Sequence, residues 1–337
     1  MTGSLPTVRA RTQRRSPLFW EDLLNKLLLA ALVSGALSMP AFAADYTILA
    51  PAAPGGGWDQ TARTMQEAFT AEGISGNVQV TNVPGAGGTI GLAQFANQDA
   101  GNPNALIVGG YVMVGAILTN MSPVTLADVT PIARLTGEAV AIVVPAASDI
   151  QTLDDLVAKL KENTGAVSWA GGSAGGVDHI TAGLIAKTIG VDPTQVNYIA
   201  YSGGGEALAA ILGGQVTVGI SGISEFASQI QAGELRLLAV SSDERVPGVD
   251  GPTLKEAGID LAVQNWRMVA AAPGITPEQK AAITADVKAL ATSASWKAAL
   301  ETKGWVDTYL DGEAFDTQLA ADIAATETIL KDIGLVQ

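Results

Sequence analysis

The feature that most constrains this sequence is a unit that recurs along it: a short apolar run, a glycine-rich turn, then a helix start. It appears first at residues 46–59, where Tyr46-Thr47-Ile48-Leu49-Ala50 stops at Pro51 and Gly55-Gly56-Gly57 turn the chain. Trp58-Asp59 then open a segment whose Ala62, Met65 and Phe69 share one helical face. The unit returns at 77–83 before Gly85, Gly87 and Gly88, at 167–170 before Gly171 to Gly176, and at 196–200 before Gly203-Gly204-Gly205. Related strand ends fall at Gly109-Gly110 and Ser221-Gly222. Alternation of strands and helices predicts an α/β fold with parallel sheets and right-handed crossovers. Ligands in such sheets sit at the carboxyl ends of the strands, where all these turns fall.

Glycine lets a backbone approach a ligand with no Cβ in the way, and the first N–H groups of a helix have no internal partner. Such a turn attracts an anion; taken singly, it also simply reverses the chain, with Asp59 as a cap. Recurrence favours the first reading. Further strands are predicted at 105–108, 139–144, 216–220 and 235–241, and helices at 177–189, 206–212, 224–232, 277–291 and 314–333. Thr152 and Asp155 form a capping-box pattern, and Thr276-Pro277 a helix start with proline at its first position. The chain is expected to enter a second domain near Pro145 and to return to the first near 265.

With 337 residues the chain is long enough for two domains, and 48% hydrophobic residues with 38 glycines suit a folded protein. A net charge of -14 argues against nucleic acid as a partner. The absence of cysteine removes disulfides, iron–sulfur clusters and thiol nucleophiles, and the single histidine, His179, removes a multi-histidine metal centre. No Asp-rich loop offers a calcium site, so no metal or cofactor is expected.

Residues 1–43 read as an export signal: Arg9, Arg11, Arg14, Arg15 and Lys26 precede an apolar run at 27–37, and Ala41-Phe42-Ala43 supplies small residues for cleavage after Ala43. Glu21 and Asp22 separate Arg14-Arg15 from the apolar run, which favours the general secretory route over a twin-arginine one. The leader carries five basic and two acidic residues out of 19 and 33, so the mature chain has 14 and 31 and a net charge of -17.

Gly171-Gly172-Ser173-Ala174-Gly175 matches the G-x-S-x-G nucleophile elbow. A hydrolase needs its histidine against the serine, and on a helical projection six residues place His179 roughly 240° round from Ser173, with Asp178 elsewhere again. Gly85-Ala86-Gly87-Gly88-Thr89-Ile90 lacks the last glycine of a dinucleotide fingerprint, and no Gly-Lys-Ser/Thr follows any turn. No catalytic residue is therefore assigned. Tyr111 and Tyr201 each follow strand-end glycines, so their hydroxyls either reach a cleft or pack at a domain interface. Trp58 either covers a wall of the site or staples its helix.

Residues 50–59, Asn82-Val83-Pro84-Gly85-Ala86-Gly87-Gly88, Tyr201-Ser202-Gly203-Gly204-Gly205-Glu206-Ala207-Leu208, Leu212-Gly213-Gly214-Gln215-Val216 and Pro252-Thr253-Leu254-Lys255-Glu256-Ala257-Gly258 resemble, in this order, the receptors of tripartite tricarboxylate transporters, the TctC or Bug proteins. The resemblance implies a type II-like, two-lobed periplasmic binding protein with two parallel or mixed sheets and a cleft between lobes of 44–145 plus 265–337 and of 146–264. It implies a monomer that closes on a small di- or tricarboxylate and presents it to TctA–TctB membrane subunits. Backbone N–H groups of two loops would hold a carboxylate: Ala53, Pro54, Gly55, Gly56, Gly57, Trp58 and Asp59 in the first, and Gly172, Ser173, Ala174 and Gly175, with His179 following, in the second. Gly203, Gly204 and the segment around Ser221 look closest to citrate-type receptors. Relatives that bind amino acids carry aspartate where Ser221 stands, so a ligand without an amino group is expected. The alternatives are an exported hydrolase using Ser173 and a periplasmic sensor for a membrane kinase. Mass spectrometry of the exported protein is expected to find Ala44 as its first residue, and a first residue well upstream would overturn the cleavage site.

Overall fold

The computed structural model describes residues 1–3 and 44–337. The basic segment, the apolar run and the cleavage position lie outside the described residues. The chain runs β1 (Ala44–Ala50), α1 (Gly57–Ala71), β2 (Ser75–Asn82), α2 (Thr89–Gln98), β3 (Ala105–Gly110), α3 (Tyr111–Thr119) and β4 (Thr130–Pro145). It continues through α4 (Leu153–Glu162), β5 (Ser168–Gly171), α5 (Val177–Thr188), β6 (Asn197–Ala200), α6 (Gly204–Leu212), β7 (Val218–Gly222), α7 (Ile223–Gln231) and β8 (Leu235–Val240). The remainder is β9 (Gln264–Ala271), α8 (Pro277–Thr292), α9 (Ala294–Lys303), β10 (Trp305–Asp311) and α10 (Gly312–Asp332). Among the described residues no helix is long and apolar enough to cross a membrane.

The strands follow the order β2-β1-β3-β9-β4-β7-β5-β6, with β8 and β10 also paired to β4. Parallel pairing is confined to β2-β1-β3 and to β7-β5-β6, the places where strand, glycine turn and helix recur. Around β4 and β9 the pairing is antiparallel, so of the parallel or mixed sheets expected it is the mixed arrangement that forms. β4 is the organising strand. Its first part, Thr130 to Ala139, pairs with β9, and from Val140 onward it pairs with β7 and β8.

The sequence reading began this strand at residue 139, whereas it begins at Thr130. Arg134, Thr136 and Glu138 interrupt the apolar pattern, yet each has partners inside the fold: Arg134 meets Gln264 and Asp322, Thr136 donates to the Val306 carbonyl, and Glu138 pairs with Arg267. α3, α9 and β10 were not anticipated. In α3 the run Tyr-Val-Met-Val-Gly-Ala-Ile-Leu is apolar on every side and so shows no helical stripe.

Local signals hold where they have a mechanism. Thr152 and Asp155 exchange both capping-box bonds, at 3.2 and 2.9 Å, and Thr276 and Gln279 do the same around Pro277. Trp169, Trp296, Phe69, Phe95 and Phe226 are among the largest fully buried side chains, the core that keeps these elements in place.

Ser241 clamps the middle of β4. Its buried hydroxyl accepts the Val140 N–H at 2.8 Å and donates to the Val263 carbonyl at 2.6 Å, joining β4 to the segment that leads into β9. Ser241→Ala removes both bonds in a place that is fully buried, and urea unfolding is expected to show a loss of about 1–3 kcal/mol. An unchanged midpoint would show that the clamp contributes nothing.

Candidate functional site

At the carboxyl end of β1 the chain turns through Gly55 and Gly56 into α1, and Gly56 brings no capping side chain of its own to the helix start. The starts of α5 at Gly176, α6 at Gly203 and α7 at Gly222 likewise fall on glycines, which bring no capping side chain of their own. These ends converge on a cavity of about 60 Å³. Pro51, Ala52, Gly56, Gly57, Trp58, Gly85, Gly87, Gly88 and Val112 form one part of its wall. Gly172, Ser173, Asp178, Ser202, Gly203, Gly204, Ser221 and Glu225 form another, and Asn265 and Arg267 of β9 complete it.

The charged groups form one network. Arg267, 1% exposed, pairs through Nη2 with Oε2 of the fully buried Glu138, approaches the Thr61 hydroxyl at 3.4 Å and lies over the Trp305 ring at 4.8 Å. Glu138 Oε1 accepts the Ser224 N–H at 2.7 Å in the first turn of α7. Glu225, one residue on, accepts the Gly57 N–H at 3.0 Å and the Ser221 hydroxyl at 3.4 Å. Asp178 Oδ2 accepts the Gly172 N–H at 2.8 Å, while its Oδ1 is buried without a partner, as is Oδ1 of Asn265.

Three carboxyls thus surround one guanidinium. Burial pushes Asp178 up to about 7, helped by the charge of Glu138 and opposed by the Gly172 N–H, Arg267 and the Ser221 hydroxyl. Burial also pushes Glu225 up to about 7, with Glu138 and Asp178 adding to it and Arg267 and the Gly57 N–H opposing. His179 moves the other way, down to about 4, because burial disfavours its charged form.

A second cavity, about 660 Å³, is lined by Ala139, residues 241–247, residues 262–264, Leu300, Glu301 and residues 304–306. It is larger, but no glycine-turn helix start opens on it, and its Asp243 and Arg245 are already paired with Lys255 and Glu256. The smaller cavity is where the donors and perturbed carboxyls meet.

The model of the tripartite tricarboxylate transporter family receptor, TctC, matches residues 61–335. This chain belongs to that family. A UPF0065 protein of Bordetella bronchiseptica is 32% identical over 264 residues, which are 76% of this chain and 77% of that protein. Among solved structures, the periplasmic binding protein BugD superposes with a TM-score of 0.79 at 22% identity, covering 88% of this chain and 99% of that one. MatC from Rhodopseudomonas palustris with bound malate gives 0.75 at 24% identity, covering 87% and 100%. The mixed α/β architecture with helices on its faces is that of these periplasmic binding proteins.

Of the residues this TctC-family sequence singled out, Gly56, Gly57, Trp58, Gly172, Ser173, Gly203, Gly204 and Ser221 line the cavity. Others lie behind it. Asp59 is buried and accepts the Gly55 N–H at 2.8 Å; burial works to raise it, but Arg63, Gly55 and Asn82 together hold it below the usual carboxylate range. Pro54 and Gly55 are exposed, Ala53 is half-buried and Ala174 is exposed. Tyr111 stacks on Trp266 at 6.2 Å in the core and does not line the cavity, and Tyr201 packs against the apolar cluster that includes Ala170 and Ile211, likewise off the cavity wall. Gly175 donates to Nδ1 of His179, whose ring stacks on Tyr198 at 4.1 Å.

Two sequence readings change here. The helical projection from Ser173 does not apply, because 172–176 is a turn and α5 starts only at Val177. Asp178, set aside on that projection, is instead turned back to Gly172 and reaches the cavity. Glu225, Asn265 and Arg267 were not singled out either. They sit in otherwise ordinary strand and helix segments, and only the fold brings them together.

The perturbed groups predict how stability follows pH. A carboxyl raised to about 7 from ordinary values of 3.8 or 4.5 contributes stability that is full below its unfolded value and lost as pH rises through about 7. His179, lowered from 6.5 to about 4, contributes stability that is lost as pH falls between those values. Two carboxyls against one imidazole leave a net loss as pH rises from about 5 to about 7.5. Urea midpoints across that range are expected to fall, and Glu225→Gln to flatten the profile; a flat profile in the unmodified protein would contradict the assignment.

Proposed function

We propose that this chain is a periplasmic receptor that captures a small carboxylate and delivers it to a TctA–TctB-type membrane pair without chemically altering it. The observation that carries the reading is the convergence of four glycine-turn helix starts and the Arg267 guanidinium on one cavity. Partial positive charge at helix starts and a buried guanidinium both favour a carboxylate. They act over a turn or less, where salt screens them little, whereas the long-range repulsion from the net charge of -17 on the mature chain, 14 basic and 31 acidic residues, is largely screened. MatC, of the same fold, holds malate in its own structure.

Two lobes, 44–145 with 265–337 and 146–264, would close on the ligand, since Gly57, Trp58 and Gly88 come from one and Gly172, Gly204 and Ser221 from the other. The hydrolase reading has less support. Ser173 lines the cavity, but the only histidine is stacked on Tyr198 and lies off the cavity wall.

A thermal-shift screen of the mature protein against small organic acids is expected to raise the melting point with one or a few of them. Gly57→Ala would place a methyl 2.5 Å from Arg267 Nη2 and 3.0 Å from Glu225 Oε1, and is expected to weaken the best ligand about tenfold or more, about 1.4 kcal/mol. No shift with any acid would sink the carboxylate reading.

A further inference from the structure

The larger cavity, of about 660 Å³, lies behind the strands that carry the smaller one. Strand alternation places it there. Ala139 of β4 pairs with Gln264 of β9, and both line the larger cavity. The adjoining pair is Glu138 and Asn265; Glu138 meets Arg267, and Asn265 lines the smaller cavity. Successive residues of a strand point to opposite faces, so the two cavities share β4 and β9 from opposite sides. Trp305 reaches both: it lines the larger cavity and carries the Arg267 guanidinium 4.8 Å from its ring centre. The rear walls come from different parts of the chain, 241–247 and 300–306, and a Cβ on Gly304 would lie 3.3 Å from Val246 across the divide.

The wall is apolar at Val246, Leu300 and Val306, and most of its polar groups are engaged. Ser241 clamps β4, the Ser242 hydroxyl donates to the Glu244 carbonyl at 2.6 Å, and Gln264 Oε1 accepts from Arg134 at 2.9 Å. Asp243 and Arg245 are paired with Lys255 and Glu256, and Lys303 is held over the Trp305 ring, off the wall. Two carboxylates are left over. Glu244 and Glu301 are exposed, line the cavity and form no ion pair among the described residues. The volume falls in the range of roughly 300–1,000 Å³ usual for small-molecule sites. An apolar wall with two spare carboxylates disfavours an anion and favours a cation with an apolar body.

We propose that the larger cavity is a second binding site, for a small organic cation such as an arylammonium, and that its occupancy favours closure on the carboxylate. The second half rests on the receptor reading with its two lobes; the site itself does not. Rotation about β4 and β9 that narrows the front gap widens the rear one, so a molecule seated behind the strands resists reopening in front. The coupling is reciprocal: each ligand tightens the other by the same factor.

Isothermal titration of the mature protein with benzylammonium and with benzyl alcohol, its neutral counterpart, tests the site. The cation is expected to bind about tenfold or more tighter. Replacing both exposed carboxylates, Glu244→Gln with Glu301→Gln, is expected to narrow that ratio to about threefold or less. Val306→Arg, at a half-exposed place on the wall, is expected to weaken both probes. If it fails to fold, the glutamine pair still decides. Equal binding of the two probes, no binding of the cation, or cation binding that survives these variants would overturn the site. Saturating benzylammonium is then expected to tighten the best acid of the thermal-shift screen about fivefold or more, and Val306→Arg to remove the effect. An acid affinity that is unchanged or weaker would overturn the coupling. Benzylammonium bound as expected with no acid bound at all would sink the receptor reading and the coupling, and leave the second site standing.

Discussion

The buried pair of Glu138 and Arg267 is the interaction on which the site depends. Glu138 stands on β4 beside the point where that strand stops pairing with β9 and starts pairing with β7, and Arg267 comes from β9. The same carboxyl takes the Ser224 N–H and so fixes the start of α7, which in turn aims Glu225 at Gly57. A buried ion pair is weak evidence for stability as such, because desolvation consumes much of its Coulomb energy. Its effect is positional: if either partner is removed, a buried charge is left alone at the junction of three elements. Gly222 belongs to this arrangement, since a Cβ there would fall 2.7 Å from the Glu138 carboxyl.

Electrostatics within the cavity run against a simple anion trap. Helix starts and a guanidinium attract a carboxylate, but Glu225 and Asp178 already occupy two of the backbone donors. Their burial, with the charge of Glu138 nearby, keeps both near neutrality in titration, so the site's charge changes over the range in which a small acid is itself ionised. Recognition then depends on the balance of donors and acceptors as much as on net charge.

What could be read from the sequence was whatever is encoded locally. Strand, glycine turn and helix start were legible around 46–59, 167–177 and 196–204 because apolar runs, glycines and helical spacing are short-range signals. The capping pairs at Thr152 and Thr276 were legible for the same reason. β4 was cut short because Arg134 and Glu138 look like surface residues until their partners from β9 and α10 are known. Asp178 was dismissed because a helical wheel was carried back over a turn, and Arg267 carried no mark of its own. Long-range pairing defines both, and periodicity does not record it.

The glycines themselves take on a different meaning. From sequence they let a ligand approach the backbone; in the structure several let the protein's own side chains do so. A Cβ on Gly57 would meet Arg267, one on Gly88 would fall 2.6 Å from the Trp58 ring, and one on Gly204 would collide with Glu225. Gly88 has in addition a φ of +88°, which an L side chain rarely adopts. The recurrent turns therefore mark the cavity indirectly. They are glycine-rich because a guanidinium, an indole and a carboxyl must be packed against backbone from opposite sides of a small volume, and that packing is what leaves the cavity its shape.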